Sequence, residues 1–147
     1  MMAVGDFQGT YAAEKVVVTV GGVILTGFGE GDFLTAKYDE DRFMKKVGAD
    51  GEVGRSRTAS RAGTIEVVLS ATSKANDELS ALFNLEQIGG FDSPVPIGVA
   101  DLSGRSVAGS SKAWLKTAPD MVFGNEISER TWVFDCADLT MNYGGNG

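Results

Sequence analysis

Three consecutive carboxylates, Asp39-Glu40-Asp41, form the densest cluster of metal-type ligands in the chain and could attract a divalent cation. They lack the spaced oxygen ligands of a calcium loop, so the spacing argues against a metal site. Asp135 and Asp138 can be drawn as an acid–base pair, but nothing in their surroundings would separate their pKa values. Ser110-Ser111-Lys112 is not the helical Ser-x-x-Lys arrangement, and no Gly-x-Ser-x-Gly elbow occurs. Gly27-Phe28-Gly29-Glu30-Gly31 has the wrong spacing for a dinucleotide fingerprint and reads as a turn; no phosphate-binding Gly-Lys-Ser or Gly-Lys-Thr loop exists. The chain has no histidine, which removes His-based triads, the usual neutral-pH acid–base group and the commonest zinc ligand. Its single cysteine, Cys136, excludes an intrachain disulfide and sits in an apolar strand pattern, as a buried inert thiol does. No catalytic, cofactor-binding or metal-binding residue is expected, and no enzymatic activity.

The residues that stand out instead are charged. Between Arg42 and Arg61 lie six cations and two anions, a net +4, whereas the rest carries 7 cations and 18 anions, a net −11. The total is −7. Asp50-Gly51-Glu52 makes a tight turn, and Arg55, Arg57 and Arg61 follow among small residues. A basic arm on an acidic body suits a subunit that reaches for its own neighbour. A nucleic-acid-binding arm fits less well, because the body would repel phosphate. The assembly-arm residues expected from the sequence are Asp50, Gly51, Glu52, Arg55, Arg57 and Arg61.

The elements that must hold this arm read mainly as strands. At 147 residues, with a hydrophobic share of 43%, the chain fits one domain over residues 1–147 with a sizeable core. Val16, Val18 and Val20 alternate before a Gly21-Gly22 turn into Val23-Ile24-Leu25. Both faces of that hairpin are fairly apolar and call for cover. Residues 32–38 and 42–47 are further strands. Residues 54–62 have no large apolar side chain, so they form either a mobile loop or a strand resting on another molecule. Ile65, Val67 and Leu69 share one face of a cleanly alternating strand. One helix is expected around residues 73–88, capped by Ser73 or Asn76, with Ala75, Leu79, Leu82 and Phe83 on one stripe and Gly89-Gly90 at its end. Pro96 pushes the strand Val95–Ala100 towards a sheet edge. Trp132 and Phe134, then Leu139 and Met141, continue the strand pattern, and Trp114 and Trp132 read as core or interface aromatics. The expected fold is mainly β, a sandwich or small barrel of two packed antiparallel sheets, with one helix and an extended arm around 48–62. No apolar run approaches the ~20 residues that cross a bilayer, and Met1-Met2-Ala3-Val4-Gly5-Asp6 does not read as a signal peptide, so no membrane insertion is expected.

The order of these motifs resembles the inner tail-tube proteins of contractile-tailed bacteriophages. The resemblance is carried by Lys15-Val16-Val17-Val18-Thr19-Val20-Gly21-Gly22, Thr26-Gly27-Phe28, Tyr38-Asp39-Glu40-Asp41 and Val47-Gly48-Ala49-Asp50-Gly51-Glu52. It continues through Arg55-Ser56-Arg57, Gly63-Thr64-Ile65, Ser73-Lys74-Ala75-Asn76-Asp77-Glu78-Leu79, Ala113-Trp114-Leu115, Pro119-Asp120, Phe123-Gly124-Asn125-Glu126-Ile127 and Arg130-Thr131-Trp132-Val133-Phe134. It implies a virion structural subunit whose hexameric rings stack into a hollow tube that conducts genomic DNA. It implies a sheath protein outside, a tape measure protein and passing DNA in the lumen, a baseplate initiator, and assembly in the host cytoplasm. Two alternatives stand beside it: the tube of a phage-tail-like bacteriocin or type VI secretion machine, and a monomeric small-ligand-binding β-barrel.

Overall fold

A computed structural model describes residues 9–87 and 94–146. The N-terminal hairpin forms where the valine alternation places it, as β1 (Val16–Val20) and β2 (Val23–Leu25) around Gly21-Gly22. Next come β3 (Leu34–Tyr38), β4 (Phe43–Val47), β5 (Val53–Arg57) and β6 (Gly63–Ser70). The helix α1 (Ala75–Gln87) is followed by β7 (Val95–Asp101), β8 (Val107–Thr117), β9 (Glu129–Cys136) and β10 (Thr140–Asn142).

Eight strands make one antiparallel sheet in the order β2-β1-β7-β8-β9-β6-β3, with β10 paired to the first half of β8. Strands β4 and β5 pair only with each other. The large sheet curls on itself. Leaving β2, the chain lands on β6: Phe28 bridges Leu69, and the Gly29 amide donates to the Val68 carbonyl at 3.0 Å. Curling puts every inward face on one core, to which β1, β2, β6, β7, β8, β9 and α1 all contribute. The alternation of β6 is realised, with Ile65, Val67 and Leu69 fully buried against Phe134 and Trp132 of β9. The protein is thus mainly β, in antiparallel sheets with one helix.

The helix seals one side through Ala75 and Leu79, while Leu82 packs against the core more loosely. The Ser73 hydroxyl accepts from the Ala75 amide at 3.2 Å, satisfying one of the first unpaired donors of the helix. Asn76 does something else. Its Oδ1 accepts the buried Trp132 Nε1–H at 3.0 Å, and its Nδ2 donates to the Ser70 and Ser73 carbonyls. It therefore bolts the helix start to β9. The expected helix end at Gly89-Gly90 lies outside the described residues.

One expectation is overturned. Pro96 does not lie on an edge strand: β7 sits between β1 and β8. A register shift between Val95 and Ile97 places Pro96 in a bulge, and pairing with β1 starts only at Ile97. The missing N–H is therefore not required by either ladder.

Candidate assembly interface

The basic arm is a β-hairpin that leaves the body. Strand β3 ends at Tyr38 opposite Gly63, the first residue of β6, and residues 43–57 loop out between them. The base is tied by the Thr58 amide on the Arg42 carbonyl at 2.8 Å. Arg42 also donates through Nη2 to the Ser60 carbonyl and lies 5.3 Å from the Tyr38 ring centroid. At the far end Gly48 and Glu52 close the turn, the Glu52 amide bonds Asp50 Oδ1 at 3.2 Å, and Gly51 takes φ +88°. That backbone angle favours glycine over any residue with a Cβ.

Every residue of β4 and β5 is exposed. Cross-strand register assigns the faces. Phe43 opposes Arg57, Lys45 opposes Arg55 and Val47 opposes Val53, so one face alternates apolar and cationic side chains. The Arg55 guanidinium covers the Phe43 ring at 4.3 Å, a cation–π contact. The other face carries Met44, Lys46, Gly54 and Ser56. A two-stranded hairpin with no core of its own is marginal in water and gains stability when covered.

Of the residues expected from sequence, Arg55, Arg57 and Arg61 come together: with Arg42, Phe43 and Thr58 they line a concavity of about 340 Å³. Asp50, Gly51 and Glu52 lie away from them at the tip. Residues 54–57 belong to a strand paired within the chain and residues 58–62 lie outside any strand, so neither a loop throughout nor a strand resting on another molecule describes 54–62. The arm also begins earlier than the expected 48–62, at Phe43. Its apolar half, Phe43, Met44, Val47 and Val53, is exposed and was not expected from the sequence. The available signal was Phe43-Met44-Lys45-Lys46-Val47, apolar residues set among cations, which only the partner strand turns into a face.

A second apolar surface went unread. Met121, Val122, Phe123 and Ile127, in the connection between β8 and β9, are all largely exposed; Phe123 is 80% exposed. Contiguous exposed apolar residues of this kind mark an interaction surface. An open groove of about 320 Å³ lies at the mouth of the curled sheet, lined by Val16, Leu34, Ala36, Val99 and Met141 with Asp101 at its rim.

Some of the residues first considered for chemistry have structural roles. Asp39 accepts from Thr64 Oγ1 at 2.8 Å, and the Ser110 hydroxyl bonds the backbone of Lys112. Cys136 is buried, and burial pushes its thiol up to about 11. Among the described residues no three His, Cys, Asp or Glu side chains are grouped as a metal site.

A sequence profile described as Bacteriophage PhiTE tail tube protein matches residues 9–144. The chain belongs to that tail tube family. Structural protein ORF10 of Pseudomonas phage KPP10 is 31% identical over 144 residues, covering 93% of this chain and 83% of its own. Among solved structures, the fold of this tail tube family member is similar to the anti-feeding prophage tube-terminating cap, with TM-score 0.57 and 15% identity over 96% of this chain and 99% of that one. It is similar also to a chain of the PVC extracellular contractile injection system sheath-tube complex in the extended state, with TM-score 0.56 and 12% identity over 90% and 91% of the two chains. The hairpin, residues 43–57, lies inside the family match.

Proposed function

We propose that this protein is a structural subunit of a contractile phage tail tube, with residues 1–147 forming a single tail-tube domain. Six copies close into a ring, and rings stack into a hollow tube that conducts DNA during contraction. The arm residues Asp50, Gly51, Glu52, Arg55, Arg57 and Arg61 bridge neighbouring subunits or rings. A sheath protein encloses the tube, a tape measure protein and then DNA occupy its lumen, and a baseplate initiator starts it in the host cytoplasm. The subunit is a passive conduit and performs no catalysis.

The observation that carries this reading is the hairpin: residues 43–57 expose apolar and cationic side chains on a sheet that has no core. That arrangement is costly for a monomer and sensible for a subunit. The acidic remainder of the chain, at −11, also suits a channel that must repel phosphate so that DNA slides. A second reading, a tube from an injection particle that carries no genome, is favoured by the likeness in fold to the anti-feeding prophage and PVC chains. Identifying the cargo of the native particle separates the two.

Negative-stain electron microscopy of the concentrated protein, with light scattering for mass, tests the proposal. Rings or tubes with a central hole are expected, weakened by Arg55→Ala, Arg57→Ala and Arg61→Ala. A monomer at every concentration that binds an apolar dye saturably at the Val16–Met141 groove would favour a ligand-binding barrel instead.

A further inference from the structure

The two exposed apolar surfaces lie at opposite ends of one strand. Hairpin β4–β5 emerges beside Gly63, where β6 begins. The Met121–Ile127 loop sits at the other end, where Ser70 opposes Glu129 and the Ala71 amide bonds the Ser128 carbonyl at 2.9 Å. Eight residues of extended chain separate them by roughly 25 Å. Neither surface can therefore cover the other within a subunit.

Their charges are opposite. Beyond the carboxylates at its base, the hairpin strands carry only cations, Lys45, Lys46, Arg55 and Arg57, up to the Asp50 and Glu52 turn. At the loop end Asp120, Glu126 and Glu129 are exposed carboxylates, with Lys116 and Arg130 the nearest cations along the chain. Two of those carboxylates, Asp120 and Glu126, flank the exposed Met121–Phe123 apolar run itself. Each surface thus pairs apolar bulk with an excess of one sign of charge. The concavity lined by Phe43, Arg55 and Arg57 lies on the hairpin face that carries these cations.

We propose that the Met121–Ile127 loop of one subunit docks on the β4–β5 hairpin of a second copy placed end to end along the β6 direction. Phe123 seats against Phe43 and Val53, and Asp120 and Glu126 meet Arg55 and Arg57. Because the two surfaces differ, the contact is head-to-tail, and copies set end to end along one direction repeat it without closing, as a heterologous interface does when it builds a filament rather than a ring. The inference deepens the tube reading by naming the axial joint, and it rests on that reading only for the stacking of rings.

Disulfide trapping tests it. Cys136 is buried and silent, so two exposed cysteines report alone. Equal amounts of Phe43→Cys and Phe123→Cys protein should give a mixed disulfide at least tenfold over either homodimer. The double variant should give a covalent ladder that runs past the size of one ring. A ladder that stops at one ring would place the contact between lateral neighbours and overturn the axial assignment. No mixed disulfide, with Val53→Cys and Ile127→Cys as the second pair and circular dichroism confirming the fold, overturns the docking itself. If the mixed disulfide forms but microscopy shows no tube, the joint stands and the tube reading fails.

Discussion

The Cys136 thiol lies under the sheet at the end of β9, and burial together with the nearby negative charges of Asp135 and Asp39 raises its pKa from 9.0 to about 11. The folded protein therefore holds this proton to higher pH than the unfolded chain. Its contribution to stability is complete below about pH 9 and is lost as pH rises towards 11, by up to roughly 2 kcal/mol. Urea titrations at pH 8 and pH 11 should show a larger drop in wild type than in Cys136→Ala. Asp101 behaves oppositely. Hydrogen bonds from Ser103 and Asn146 hold its carboxyl below the ordinary value, so the tie it makes to the C-terminal tail is present above about pH 4 and lost as acid protonates it. Asn76 is the third residue of consequence: Asn76→Ala leaves the buried Trp132 indole N–H without its acceptor and should cost about 1–3 kcal/mol in chemical denaturation.

Each element was legible in proportion to how much of its environment lies within its own span. The β6 alternation and the Ala75–Leu79 stripe are one-dimensional patterns with a local period, and both appear where the sequence puts them. Pro96 misled because a strand's rank in a sheet is set by distant partners, here Val20 and Ser110, and because bulges leave no periodic trace. Only half of the hairpin could be read: the arginines announce themselves, whereas Phe43 and Val53 share a face with them only after register is known. The Met121–Ile127 loop follows Pro119 and reads as a break, though Met121, Val122, Phe123 and Ile127 are exposed apolar side chains. Replacing residues 43–57 with a short Gly-Ser linker should leave Tm within a few degrees, since no residue of β4 or β5 belongs to the core, while abolishing assembly by light scattering. Gly63→Ala should do the reverse. An added Cβ would fall 2.7 Å from the Lys37 carbonyl and against the Leu139 side chain, so the strand start must shift. About 1–3 kcal/mol of destabilisation is expected in thermal melts.

At the scale of the whole molecule, the uneven charge makes association responsive to salt. A net +4 arm meeting an acidic body attracts over roughly the Debye length, which falls from about 30 Å at 0.01 M to about 8 Å at 0.15 M. Raising salt over that range should slow the onset of assembly at fixed protein concentration. The apolar part of the contact sets how much remains at high salt, so Phe43→Ser should remove the residue of assembly that salt leaves behind. A tube whose growth ignored both changes would owe its cohesion to the sheet edges β2 and β3 rather than to the arm.

The position of β6 has a mechanical consequence. It is flanked by β3 on one side and β9 on the other, and its backbone hydrogen bonds run across the strand direction. A pull between the hairpin root and the opposite end of the sheet loads those bonds in shear, so rows of them must yield together instead of unzipping singly. Stretched from residues 43 and 123 in an optical trap, the body should give way at far higher force than when peeled from β2. A subunit stacked end to end along β6, as proposed above, would be loaded along that strong axis.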